Sequence, residues 1–120
     1  MGYRSNGCFL VYGDALALDA FWAVWKPKFE ALGETELWQD VAIRDERDGG
    51  KTLSMEYSNL KWYPEFAEVS LWASMMKAIN DTHGLAGESI RIGEEYDDIE
   101  RLTYGDCEYR INVSTGYSWD

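Results

Sequence analysis

Apolar and polar positions along this chain follow three different rhythms, and each change of rhythm marks a new element. Gly7 to Tyr12 (Gly-Cys-Phe-Leu-Val-Tyr) is a short continuous apolar run ended by Gly13-Asp14, which predicts a central strand buried on both faces. From Asp14, a good N-cap, the spacing becomes helical. Leu18, Phe21, Trp22, Trp25, Phe29 and Leu32 fall on one stripe, closed by Gly33. Pro27 cannot donate to the Ala23 carbonyl, so a kink or a short second helical piece is expected there.

Leu37 to Arg44 alternates, with Leu37, Val41 and Ile43 on one face, and Asp45-Glu46-Arg47-Asp48-Gly49-Gly50 is a charged loop ending in a turn signal. Thr52 to Tyr57 alternates again, with Leu53, Met55 and Tyr57 inward. The apolar parity then slips to Leu60 and Trp62, and one extra residue near Ser58-Asn59 explains the slip as a β-bulge. After Pro64, Phe66, Val69, Trp72, Met76 and Ile79 recur at helical spacing up to His83-Gly84. Ile90 and Ile92 alternate before Gly93. Leu102 and Tyr104 share a face, and Gly105-Asp106 reads as a two-residue hairpin turn into Cys107, Tyr109, Ile111 and Val113 at period two. The expected architecture is one α+β domain over residues 1–120: a ferredoxin-like β-α-β-β-α-β layout with an added C-terminal β-hairpin. Two helices would cover one face of a mostly antiparallel sheet, with the first strand in its interior.

Charge narrows the function classes. The 120 residues carry 11 Lys+Arg against 22 Asp+Glu, a formal net charge of −11, which argues against direct binding of nucleic acid through its phosphates. Hydrophobic residues at 46% and aromatics at 15% exclude a disordered acidic tail. No apolar run approaches the ~20 residues that a membrane span needs, and Gly2-Tyr3-Arg4-Ser5-Asn6 does not read as a signal peptide.

Catalytic and cofactor signatures are not found. Asp48-Gly49-Gly50-Lys51 lacks the spacing of a P-loop, no GxGxxG occurs, and no cofactor is expected. His83 is the single histidine, and its position before Gly84 suits capping of a helix C-terminus better than catalysis. Cys8 and Cys107 read as buried, reduced thiols on neighbouring strands rather than as metal ligands or a redox pair, so neither a catalytic set nor a metal site is assigned.

Two features remain for recognition. Trp22, Trp25 and Trp72 lie on helix faces that pack on the sheet, but in Lys61-Trp62-Tyr63-Pro64 adjacent aromatics on a strand point to opposite faces. With Trp62 in the core, Tyr63 either packs under the extra hairpin or belongs to an exposed recognition face on the open side of the sheet. The other feature is acidic: Glu94, Glu95, Asp97, Asp98 and Glu100 place five carboxylates in seven residues. Calcium would need an EF-hand loop that is absent, and nothing in the spacing marks a paired-carboxylate hydrolase. A solvated acidic loop and a contact surface for a basic partner stay open. The contact surface, formed by these five carboxylates and Tyr63, is the reading carried forward.

Met1-Gly2-Tyr3-Arg4-Ser5, Lys61-Trp62-Tyr63-Pro64, Arg91-Ile92-Gly93-Glu94-Glu95 and Asp97-Asp98-Ile99-Glu100 together resemble a family of small phage and prophage proteins of unassigned function. The chain departs from that pattern at Asn6-Gly7. The resemblance implies a cytoplasmic accessory protein in a bacterial host, with no catalytic residue to carry over. Such a protein would bind and inhibit a basic host protein that handles nucleic acid, such as a CRISPR effector, restriction enzyme or polymerase, through carboxylates standing in for phosphates. The alternatives are a small-ligand-binding or enzymatic domain with a pocket between sheet and hairpin, using Tyr63 and carboxylates, and a homodimer formed through the open sheet face.

Overall fold

The apolar run near the start of the chain forms β1 (Ser5–Asp14), and Gly7 through Tyr12 are all buried in it. The computed structural model describes residues 4–32, 41–60, 63, 66–94, 98–105, 111–113 and 117–119. After β1 come α1 (Ala15–Glu30), β2 (Ala42–Asp45), β3 (Gly50–Leu60), α2 (Ala67–Ala78), β4 (Leu85–Ile92), β5 (Ile99–Tyr104), β6 (Ile111–Val113) and β7 (Tyr117–Trp119). The first five strands form one sheet in the order β2-β3-β1-β4-β5, with every pairing antiparallel, and β6 and β7 pair as a separate two-stranded sheet. The protein is thus α+β, with two α-helices among the described residues and β1 at the centre of a five-stranded antiparallel sheet.

Both helices lie on one face of that sheet. Phe9 and Val11 of β1, with Leu53, Met55 and Tyr57 of β3, meet Leu18, Phe21 and Phe29 of α1 and Trp72, Met75 and Met76 of α2 in one buried cluster. Trp72 joins the layers. Its ring stacks on Phe9 at 5.1 Å between centroids and meets Phe29 of α1 at 4.7 Å. Trp22 and Trp25 pack against the same cluster while half-buried.

Several local expectations hold. The Asp14 carboxylate caps α1 by accepting from the Ala17 N–H at 3.1 Å. The β-bulge falls where the parity slip puts it. Ser5 faces Leu60 while Gly7 faces Tyr57, so two steps on β1 match three on β3, and the extra residue lies at Ser58-Asn59. Gly13 has φ of 147°, and a Cβ there would sit 2.1 Å from the Gly84 carbonyl oxygen, which accepts from the Asp14 N–H at 3.1 Å. Only glycine lets the chain turn from β1 into α1 so close to β4.

Other expectations are corrected. Pro27 does not break α1, which continues through it to Glu30. Ala23 and Pro27 are both exposed, where losing one ladder hydrogen bond costs least, and the Pro27 carbonyl accepts from Ala31 N–H at 3.0 Å. Helix α2 is shorter than its apolar stripe and tightens into a 3-10 turn at Ile79–Asp81. The carbonyl of Ala78 is satisfied by the Thr82 hydroxyl at 2.8 Å, whereas His83 is exposed beyond it. The strand that starts the last third begins at Leu85 rather than near Ile90, because Gly87 and Glu88 hide its pattern.

β5 pairs with β4, and among the described residues β6 pairs with β7; the strand expected to follow the Gly105-Asp106 turn falls on residues 106–110, outside the described residues. At Gly105 the backbone adopts φ of 63° and its N–H donates to Asn80 Oδ1 at 2.8 Å, which draws the chain toward the end of α2. Asp106 and Cys107 lie outside the described residues. The second face of the sheet is not open at its centre either: Cys8, Leu10, Tyr12, Ala86, Glu88 and Ile90 are all buried there.

Trp72→Ala would remove the side chain shared by both helices and β1, and is expected to cost about 3–5 kcal/mol, with Trp72→Phe costing clearly less. Urea unfolding of the two variants against wild type checks this. Equal losses would show that the stack with Phe9 and Phe29 is not what matters at this position.

Candidate functional site

The helix-covered face is not filled along its whole width. Where α2 passes over β4 and β5 it leaves a cleft of about 530 Å³, a volume suited to a small organic molecule. Val69, Ser70 and Ala73 of α2 form one wall, and Phe9, Ser89 and Leu102 lie on the sheet side. Polar groups converge on it from Ser5, Tyr57, Tyr63, Arg91, Asp98, Glu100 and Tyr104.

Strand register explains this convergence. Gly7 of β1 faces Tyr57 of β3 on one side and Arg91 of β4 on the other, so the three share a row across the sheet. A Cβ on Gly7 would lie 2.3 Å from the Tyr57 phenol, so the ring lies over the glycine and leans toward Arg91. One step further, Arg91 faces Glu100 of β5, Ser89 faces Leu102 and Gly87 faces Tyr104. Alternation on β5 therefore turns Glu100, Leu102 and Tyr104 toward the cleft.

Arg91 organises the mouth. Its two terminal nitrogens grip Asp98 with bonds of 3.2 and 2.9 Å, one of them also donates to Ser5 Oγ at 3.1 Å, and Nε lies 3.7 Å from Glu100. This fork-to-fork pairing suits a planar guanidinium, and the Asp98 bond holds Arg91 even more firmly protonated than usual. The Gly93 N–H donates to the Asp98 carbonyl at 2.8 Å, closing the β4–β5 connection. Deeper in, burial pushes the Tyr104 phenol above its ordinary pKa, partly offset by its hydrogen bond with Ser89 and reinforced by Glu100, so Tyr104 stays a neutral hydroxyl.

Of the acidic run, Glu94, Asp98 and Glu100 are among the described residues. Asp98 and Glu100 turn into the cleft beside Arg91, and Glu94 is exposed but accepts from the Arg4 backbone N–H at 2.5 Å. Glu95 and Asp97 lie outside the described residues. Tyr63 is half-buried, packs on Phe66 at 5.4 Å and lines the cleft on the helix side. Strand parity does not extend to it, because β3 ends at Leu60 and the Tyr63 carbonyl already accepts from the Phe66 N–H at 3.0 Å in the turn before α2. Trp62 lies outside the described residues.

Sequence reading missed Arg91, Ser5, Ser89 and Tyr57 as site residues. The available signal was Gly7 opposite two polar-tipped side chains, which needs the strand register to be seen. Glu88 was missed as well. Its carboxylate is fully buried on the far face and lies 3.4 Å from Arg101. Among the described residues, no group of three or more His, Cys, Asp or Glu could hold a metal ion. No helix among them is long and apolar enough to cross a membrane. No family model matches the chain, and neither the curated proteins nor the solved structures give a match.

Cys8 is a free, buried thiol on the far face, where burial and then the charges of Glu56 and Glu88 push its pKa from an ordinary 9.0 up to about 12. It should resist alkylation by iodoacetamide at pH 8 in the native protein and react once unfolded. Because the folded state holds this proton more tightly than the unfolded one, the stability it contributes is complete below pH 9.0 and is lost as pH rises toward about 12. Urea unfolding from pH 8 upward should show a decline that Cys8→Ala reduces; an identical decline would assign the pH dependence to other groups.

Gly7→Ala should cost about 1–3 kcal/mol because it displaces the Tyr57 ring. In a Tyr57→Ala background the same change should cost little. A double-mutant cycle by chemical denaturation measures the coupling, and additive losses would mean that Tyr57 does not need the glycine.

Proposed function

We propose that this protein is a non-catalytic small-ligand-binding domain whose site is the cleft between α2 and strands β4 and β5. The carrying observation is the cleft itself: about 530 Å³, walled by Phe9, Val69, Ala73 and Leu102, with tyrosine hydroxyls and an Arg91–Asp98 clasp converging on it. Apolar walls with a few oriented polar groups are what small-molecule sites are made of. This pocket lies between sheet and helix. Within the fold, we read β1 through β4, in spatial order β2-β3-β1-β4, as a split βαβ unit to which β5 is added beyond β4.

A second reading is favoured by the net charge of −11 and the exposed Glu94: an acidic surface that meets a basic host protein in a bacterial cell, as the phage-protein resemblance implies. Asp98 is held by Arg91 and Glu100 lines the cleft, so this reading is tested at the other three carboxylates, Glu94, Glu95 and Asp97. Replacing these three with Gln, Gln and Asn should then slow association with the partner and flatten its salt dependence, without affecting ligand retention in the cleft.

Ala73 is exposed on α2 and lines the cleft, so Ala73→Trp should fill the space while keeping the fold. Wild type and Ala73→Trp would be equilibrated with a bacterial small-molecule extract, and the retained compounds identified by mass spectrometry. A compound held by wild type and lost from an equally stable Ala73→Trp is the expected result. Retention of nothing, or of the same compounds by both, would overturn the cleft reading.

A further inference from the structure

We propose that the cleft takes an organic cation, an amine or guanidine carried on an aromatic body; this rests on the ligand-binding reading above. Among the described residues that line the cleft, Arg91 is the one base and Asp98 and Glu100 are the two acids, so the lining carries one excess negative charge. Arg91 is already committed. Asp98 takes both of its terminal nitrogens at 3.2 and 2.9 Å, and Ser5 shares one of them at 3.1 Å. These bonds take three of the five guanidinium N–H groups, and an anionic ligand approaching the others would meet the carboxylates of Asp98 and Glu100 beside them.

Glu100 is differently placed. It stands 3.7 Å from Arg91 Nε, outside hydrogen-bond distance, and its side chain is 55% exposed at the cleft mouth. It can turn an oxygen to an incoming ammonium without breaking the Arg91–Asp98 fork. Tyr57, Tyr63, Tyr104 and Phe9 also line the cleft, and aromatic side chains favour both a ring and a cation near them. The net charge of −11 also steers cations toward the protein and anions away from it.

Three phenols that share a ring and differ in charge separate these ideas: tyramine as the cation, 4-ethylphenol as the neutral member and 3-(4-hydroxyphenyl)propionate as the anion. Their affinities would be measured at pH 7 and low salt by ligand-observed NMR titration against wild type, Glu100→Gln and the filled Ala73→Trp. The expected order is tyramine, then 4-ethylphenol, then the propionate, with tyramine about fivefold ahead of 4-ethylphenol, as a half-exposed ion pair allows. Glu100→Gln should erase that advantage and leave 4-ethylphenol unchanged, and Ala73→Trp should weaken all three.

An advantage for the propionate, or a tyramine preference untouched by Glu100→Gln, would overturn the cation inference. Binding of 4-ethylphenol that Ala73→Trp abolishes, with no tyramine preference, would also overturn it while leaving the ligand-binding reading in place. If none of the three binds, the cation inference fails while the cleft reading is decided by the extract experiment; if Ala73→Trp changes nothing for a phenol that binds, both fail.

Discussion

The burial of β1 on both faces is the constraint on which the rest of the architecture depends. A strand whose consecutive residues Gly7 to Tyr12 are all buried must have a partner strand on each edge and a packed layer on each face. β3 and β4 supply the edges. The odd residues Phe9 and Val11 take the helices, through Trp72 and its contact with Phe29, while Cys8, Leu10 and Tyr12 form a separate cluster with Ala86 and Ile90. Glycine sits where this central position brings other groups too close for a side chain. Gly7 lies under the Tyr57 ring and Gly13 against the Gly84 carbonyl.

The same geometry makes the cleft. Helix α2 packs over the centre of the sheet because Trp72, Met75 and Met76 bury there, and β5 extends the sheet beyond the width that two helices cover. The outer strands therefore present a partly uncovered row of inward-facing side chains. Apolar residues alone in that row would be an exposed hydrophobic patch. This chain instead places an arginine there and balances it with carboxylates from its own next strand and connection, Glu100 and Asp98.

The three described carboxylates of the acidic stretch do not share one set of contacts. Glu94, Asp98 and Glu100 are close neighbours in the chain, yet one accepts from the backbone of Arg4, just before β1, and the other two sit beside Arg91 at the cleft. Where the charge ends up depends on the register of β4 against β5. Arg91 stands opposite Glu100, which ties part of the negative run to a cation at the cleft mouth.

The sequence by itself determined the elements that local physics controls. The continuous apolar run specified a central strand, Asp14 specified a helix start, the parity slip at Ser58-Asn59 specified a bulge, and the two helical stripes specified which helix faces are buried. Each of these follows from neighbours within a few residues along the chain. What only the tertiary structure decided depends on partners distant in sequence. Pro27 is tolerated because its turn faces water, β5 joins β4 because Glu100 and Tyr104 find Arg91 and Gly87 opposite them, and Tyr63 leaves strand parity because β3 has already ended. The candidate site belongs wholly to this second kind: Ser5, Tyr57, Arg91 and Asp98 come from four different segments and meet only when the sheet sets their register. No local pattern encodes that register, because it depends on which strands pair and which residues stand opposite one another.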